Sequence, residues 1–354
     1  MTMTLMKGNE ALALAAIRGG CTHFFGYPIT PQNEIPEFLA RELPKIGGVF
    51  IQAESEIGAV NMLYGAAAVG CRVMTSSSSP GLALMQEGIS LLAAAEMPCV
   101  IVNVMRGGPG IGGIQPSQAD YFQMTRGGGN GDYRVPALAP ATVQESVSMM
   151  VQAFEMADCY RTPVFIVSDG MLGQMMEPVE FDNIELKEPP EKEWKLTGHG
   201  NVRKPKTIKT LMLDPARLEA RNFELQEKFQ KIAAAECSWE EYLIDDAELV
   251  FTAYGSTARI ARNAVDQLRE EGFTAGLIRP RTLWPFPDKP FQQLTSRCQT
   301  VLCVEMSCGQ MVDDVRLAVN GKLPVAFYGR CGGMIPSPEE LVAKAKNIMK
   351  GGRQ

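Results

Sequence analysis

Histidine is almost missing from this chain: His23 and His199 are the only two in 354 residues. Ser-His-Asp hydrolysis and histidine-bound metals therefore have little to build on. There are nine cysteines, but none stands in a Cys-x-x-Cys pair. That spacing is how iron–sulphur clusters and structural zinc are usually held, so neither is expected here. Cys298, Cys303 and Cys308 are evenly spaced, which reads as a buried strand residue, Cys303, with two flanking thiols. A basic surface is also lacking: 34 Lys and Arg face 40 Asp and Glu, a net charge of −6. Nucleic acid and anionic membranes are thus not expected as partners. No apolar run approaches a membrane span, and the opening MTMTLMKG lacks the apolar core of a signal peptide. With many unpaired cysteines and 20 methionines, a cytoplasmic protein is expected. No Gly-Lys-Ser/Thr phosphate loop occurs. Residues 108–113 match G-x-G-x-x-G formally, but Pro109 and the following Gln115-Pro116 leave no helix start to receive a pyrophosphate.

What is present reads as α/β. The length and the 45% apolar content support two domains, each with its own core. Helical periodicity is expected at 7–18, 34–41, 82–95 and 142–158, and strands at 21–25, 49–51, 72–76, 98–105 and 163–168. Such alternation predicts a parallel sheet covered on both faces, with functional loops at the carboxyl ends of its strands. The expected division is a first domain over 1–184, a linker carrying a charged helix over 185–245, and a second, smaller α/β domain over 246–354. The helix from Asp214-Pro215 shows an apolar stripe of Leu218, Leu225, Phe229 and Ile232, expected to pack on a neighbouring domain or subunit.

The chain is organised around residues 49–70. Val49, Phe50 and Ile51 predict a short buried strand, Ser55 an N-cap, and Ile57, Val60 and Tyr64 one helical face. Glu56 then lies in the first helical turn, aimed out of the strand's carboxyl end, where the helix dipole favours a carboxylate. Taken by itself it reads first as a capping glutamate. Glu54 is a rival carboxylate, but it precedes the helix. Thr30, held between Pro28 and Pro31, has a hydroxyl whose direction is fixed by the stiff loop; it also reads as a turn cap. Arg106 opens a long glycine-rich loop and also reads as an ordinary surface arginine.

Several motifs together carry a resemblance: YPITP at 27–31, ESEIGA at 54–59, SSSSPG at 76–81, MRGGPG at 105–110, GLIRPRTLWPFP at 276–287 and VEMSCGQM at 304–311. They resemble, in order and over nearly the whole chain, the alpha subunit of 2-oxoacid:ferredoxin oxidoreductases. The branched-chain 2-oxo acid branch looks nearest, the 2-oxoglutarate branch next. The resemblance implies a pyrimidine-binding domain of the thiamine-diphosphate fold followed by a transketolase-C-terminal-like domain. It implies that Glu56 hydrogen-bonds the cofactor's aminopyrimidine, that Arg106 meets the substrate carboxylate, and that Thr30 bonds the substrate or cofactor. Pro28, Ile29, Ser78, Ser79 and Gly81 would line the cofactor. It further implies coenzyme A as co-substrate and ferredoxin as electron acceptor. Gly-Asp-Gly, which anchors Mg²⁺ and the diphosphate in thiamine enzymes, does not occur here; Asn130-Gly131-Asp132 and Ser168-Asp169-Gly170 only approach it. The Mg²⁺ site is therefore expected on a beta subunit, and the [4Fe-4S] clusters on gamma and ferredoxin-like delta subunits or their equivalents. Two other readings stand beside this one, a split non-redox thiamine transferase or decarboxylase and a non-catalytic scaffold subunit.

Overall fold

Alternating apolar runs and glycine- or proline-marked turns build the sheets of this protein, whose computed structural model describes residues 3–182 and 184–351. In chain order the first strands are β1 (Thr4–Lys7), β2 (His23–Gly26), β3 (Val49–Gln52), β4 (Val73–Ser77), β5 (Cys99–Met105), β6 (Ala137–Leu138), β7 (Pro163–Asp169) and β8 (Met176–Val179). They are followed by β9 (Trp239–Tyr242), β10 (Leu249–Thr252), β11 (Ala275–Pro280), β12 (Thr282–Trp284), β13 (Thr300–Glu305) and β14 (Val325–Gly329). Among the described residues, one sheet runs β12-β6-β7-β5-β4-β2-β3 and a second runs β14-β13-β10-β11-β9. The central strands of both are parallel; β12 and β9 join antiparallel at the edges. No helix among the described residues is long and apolar enough to cross a membrane.

The parallel sheet is buried on both faces, as helical crossovers require. Along β5, Val100, Val102 and Val104 face helices Gly8–Arg18 and Val143–Tyr160. Cys99, Ile101 and Met105 face the opposite side, with Val60 and Leu63 of helix Glu56–Ala68 and Ile89 and Leu92 of helix Gln86–Ala94. This is the two-residue period of a strand feeding two separate cores.

Three expectations need correction. β3 is not buried: it is the outermost strand, with β2 as its one neighbour, so Val49 and Ile51 are 36% and 40% exposed. Phe50 alone is anchored, stacked on Phe24. The single helix expected at 82–95 starts earlier and is broken at Met85 into Ser79–Leu84 and Gln86–Ala94; Pro80 sits in its first turn, where a missing N–H costs nothing. Finally, 163–168 is not the last strand before the linker: β8 follows it and pairs antiparallel with β1, which the sequence pattern did not show. Helix Pro215–Glu236 buries Leu225, Phe229 and Ile232 against the first sheet's core, with Phe229 edge-on to Trp284, while Leu218 stays exposed.

The two sheets are joined through the segment following β5. Gln118 donates from its side chain to the Tyr254 carbonyl (2.8 Å) and accepts from Thr257 (2.8 Å) and the Met306 amide (3.0 Å). Tyr121 donates to Asp314 at 2.5 Å. Ser256 donates to Asp169, whose carboxylate also caps helix Gly170–Gln174. On the far side, Arg279 of β11 forks onto Glu145 (2.6 and 2.8 Å) and reaches Glu240 at 2.8 Å. Burial pushes the Glu145 carboxyl up, but Arg279 and the Ala141 amide outweigh it and hold it below the usual carboxylate range.

A depressed carboxyl contributes stability that is present above its unfolded value and lost as pH falls through the folded one. Glu145→Gln is therefore expected to lower unfolding free energy at neutral pH by about 2 kcal/mol, less than the ~3–5 kcal/mol of a wholly orphaned buried ion because Glu240 remains. The difference from wild type should shrink as pH falls below ~4. Denaturant midpoints at several pH values check this; equal midpoints at neutral pH would show that Glu240 suffices.

Candidate active site

The loops at the carboxyl ends of β2, β3, β4 and β5 converge, and they carry the residues singled out by the sequence. Ser55 is the N-cap expected, its Oγ accepting from the Gly58 amide at 3.1 Å. Glu56 is the first residue of helix Glu56–Ala68 and is only 6% exposed. Among the described residues, no hydrogen-bond donor reaches its carboxylate. Glu54 instead lies against Gly58.

Glu56 and Ser77 both press on Gly81: a β-carbon there would overlap Glu56 Oε1 and Ser77 Oγ. Glycine at 81 thus leaves a flat floor beside a buried carboxylate. Around it, the hydroxyls of Thr75, Ser77 and Ser78 are buried without a partner. Buried polar atoms ordinarily find partners, so such a group of orphans marks a place where a polar ligand completes the bonding.

Arg106 follows β5 directly and is 8% exposed. Its Nη1 donates to the Thr30 carbonyl (2.9 Å) and hydroxyl (3.4 Å), and its Nη2 to the Ile111 carbonyl (2.9 Å). Its Nε is buried with no partner. Among the described residues, no carboxylate pairs with this guanidinium. A buried cation held only by neutral oxygens is expensive unless an anion arrives to balance it. Thr30 and Pro28 are exposed and Ile29 half-buried, so this loop forms a lip over the site.

Ser79 stands between the two groups. Its hydroxyl donates to Asp120 (2.6 Å) and accepts from the Arg106 amide (3.0 Å). Asp120 also receives Asn103 Nδ2 at 2.9 Å, and burial pushes its carboxyl up against those two hydrogen bonds. Sequence reasoning overlooked Asp120 and Asn103. An aspartate just before helix Tyr121–Thr125 looks like an ordinary cap, yet its side chain does not cap that helix.

Beside Thr30 opens a cleft of about 440 Å³ whose walls include Ile114, Met171, Ile335 and Glu34. No basic side chain lines it. The neighbouring Lys7 is committed to Glu34 and Gln174, both at 3.3 Å. Burial acts to raise Glu34, but hydrogen bonds from Asn9, Gln174 and Lys7 hold it below its ordinary value. The glycine-rich loop after Arg106 runs without a helix until Tyr121, so its G-x-G-x-x-G match does not cradle a pyrophosphate at a helix start.

Known proteins share this fold. Residues 14–242 match the family described as pyruvate flavodoxin/ferredoxin oxidoreductase, thiamine diP-binding. Residues 247–341 match pyruvate:ferredoxin oxidoreductase core domain II. The ketoisovalerate oxidoreductase subunit VorB of Methanothermobacter thermautotrophicus is 46% identical over 98% of both chains. The 2-oxoglutarate synthase subunit KorA of Methanocaldococcus jannaschii is 40% identical over 96% of this chain and 98% of its own. Among solved structures, a 2-oxoglutarate:ferredoxin oxidoreductase from Magnetococcus marinus with 2-oxoglutarate, coenzyme A and succinyl-CoA bound superposes with a TM-score of 0.88 at 29% identity. That likeness covers 98% of this chain but 65% of the other. A split-gene transketolase, at 14% identity and a TM-score of 0.60 over 97% of both chains, shares the fold alone. Motifs, fold and relatives agree: the chain belongs to the pyruvate flavodoxin/ferredoxin oxidoreductase family, and its two parts are that family's thiamine-diphosphate-binding domain and core domain II.

Proposed function

We propose that this chain is the alpha subunit of a thiamine-diphosphate-dependent 2-oxoacid:ferredoxin oxidoreductase whose preferred substrates are branched-chain 2-oxo acids. The assembled enzyme converts a 2-oxo acid, coenzyme A and two oxidised ferredoxins into acyl-CoA, CO2, a proton and two reduced ferredoxins. The observation carrying this reading is the uncompensated Arg106 guanidinium beside Thr30, at the edge of an apolar cleft.

The pyrimidine end of thiamine diphosphate fits this chain. Glu56 offers a partnerless carboxylate, Ser77 and Ser78 offer free hydroxyls, and the floor at Gly81 would be filled by any side chain. Bound there, the cofactor supplies the nucleophilic carbon and the electron sink that decarboxylation requires. Glu56 holds a ring nitrogen and its proton. Arg106 takes the substrate carboxylate, for which a planar fork is better suited than a point charge. Ser79 and Asp120 keep the strand end that carries Arg106 in place. Ile114, Met171 and Ile335 take up an apolar branch, whereas Glu34 repels a second carboxylate.

The diphosphate and its Mg²⁺ fall to a beta subunit, and the [4Fe-4S] clusters to gamma and delta subunits or their equivalents, because neither ligand motif occurs in this sequence. The exposed Tyr27, Ile51 and Ile57 lie around the carboxyl ends of β2 and β3. They would form part of the surface the beta subunit covers. Exposed apolar side chains grouped beside a half-formed site are what an interface-spanning cofactor requires.

The test uses the complex purified through a tag on this chain, assayed without oxygen for coenzyme A-dependent viologen reduction. 2-Oxoisovalerate is expected to exceed 2-oxoglutarate and pyruvate in kcat/KM by about tenfold, the scale on which a hydrophobic pocket separates related substrates. A preference for 2-oxoglutarate would overturn the substrate assignment. No activity with any of the three, from a complex holding thiamine diphosphate and clusters, would overturn the reaction itself.

A further inference from the structure

The evenly spaced cysteines acquire a meaning in three dimensions that spacing did not suggest. Cys303 is buried in β13 and its thiol is pushed far up by burial. Cys308, by contrast, is exposed, and so is the distant Cys331. β13 and β14 pair in parallel with Glu305 opposite Gly329. The chain leaving both carboxyl ends therefore runs side by side. Arg330 N donates to the Glu305 carbonyl at 3.1 Å, and Gly329 lies so close to the Ser307 carbonyl that a β-carbon would overlap it. Cys308 sits three residues beyond Glu305 and Cys331 two beyond Gly329, both past this junction, and the neighbouring Cys331 thiol pushes that of Cys308 up.

The pair also borders the substrate loop. Gly332 and Gly333 follow Cys331 in the left-handed region, with φ of 65° and 93°. A β-carbon on Gly107 would come within 3.3 Å of the Gly332 and Gly333 backbone, and one on Gly333 would overlap Gln115. Gly107 and Gln115 belong to the loop that Arg106 opens. A covalent bond at 308–331 would thus stiffen the ridge on which that loop rests.

We propose that Cys308 and Cys331 form a reversible disulfide, with a low-molecular-weight disulfide as oxidant. One protein thiolate attacks a sulphur of the oxidant, whose S–S bond breaks and releases one thiol. The second protein thiolate then attacks the mixed disulfide, forming the protein S–S bond and releasing a second thiol. Two protein S–H bonds are exchanged for one S–S bond, and the oxidant accepts the two electrons and two protons. A second dithiol reverses the sequence.

The experiment needs no turnover, so its failure leaves the proposed activity untouched. The purified complex is equilibrated without oxygen in glutathione buffers running from reduced to oxidised, then alkylated, digested and mapped by mass spectrometry. Alkylation of Cys308 and Cys331 is expected to fall together by at least about tenfold across the series. A peptide linking the two should appear in the same buffers, and dithiothreitol should restore both thiols. Cys308→Ser should leave Cys331 alkylated or carrying glutathione, and Cys331→Ser should do the converse. Wild-type thiols that stay alkylated at the oxidising end, or that are modified independently of one another, would overturn the proposal.

Discussion

Glu56→Gln is expected to leave the complex assembled and cut its turnover by about a hundredfold or more, the range for loss of a positioned acid–base group. Glutamine preserves the shape that fits against Gly81 and Ser77. It removes the charge and the ability to exchange a proton with a heterocyclic nitrogen. The stability cost is small: a carboxylate in the first turn gains only ~0.3–1 kcal/mol from the helix dipole, and the Ser55 cap is untouched. The check is kcat for coenzyme A-dependent viologen reduction, together with thiamine content and Tm of the same preparation. Turnover within about twofold of wild type would reduce Glu56 to a capping residue.

Arg106→Lys carries the second largest expected effect, and it falls on the substrate. The guanidinium bonds Thr30 and Ile111 and still has its Nε free. Lysine keeps a charge but loses the fork and releases the lip at Thr30. A charge-assisted hydrogen bond is worth about 1.5–3 kcal/mol, so kcat/KM for the 2-oxo acid should drop by ~10–100-fold. KM for ferredoxin should stay unchanged if the role of Arg106 is to hold the 2-oxo acid, as proposed above. An equal loss for both substrates would point to a folding defect, and no loss for the 2-oxo acid would remove Arg106 from the site.

Much of this site was legible because its signals are local. Ser55 followed by Glu56 and a slim apolar run marks a helix start whatever surrounds it, and the helix begins there. The Thr30 loop is stiffened by its own prolines, and Arg106 comes directly after an unmistakable strand. What stayed hidden depends on partners distant in sequence. Gln118 looks like any loop glutamine, yet it meets Tyr254, Thr257 and Met306. Asp120 acquires its surroundings from Ser79, which opens the helix after β4, and from Asn103 within β5. Val49 and Ile51 mislead for a different reason: an apolar run does not say where in the sheet its strand lies, and β3 lies at the edge. The four residues of β1 carry no pattern at all, since their pairing with β8 is decided by where the chain returns.

The bonding around Gln118 also bears on how the enzyme can move. Many enzymes grip substrate by swinging one domain towards another about a few loosely held residues. Here the segment leading away from Arg106 is tied, through Gln118 and Tyr121, to Tyr254 and Asp314 on the second sheet's side before it returns to the first sheet. A hinge between the two would have to break several buried hydrogen bonds on every cycle. The loop that Arg106 opens is accordingly anchored from the moment the chain folds; on the function proposed above, gating would fall to the exposed lip at Thr30 or to a partner subunit.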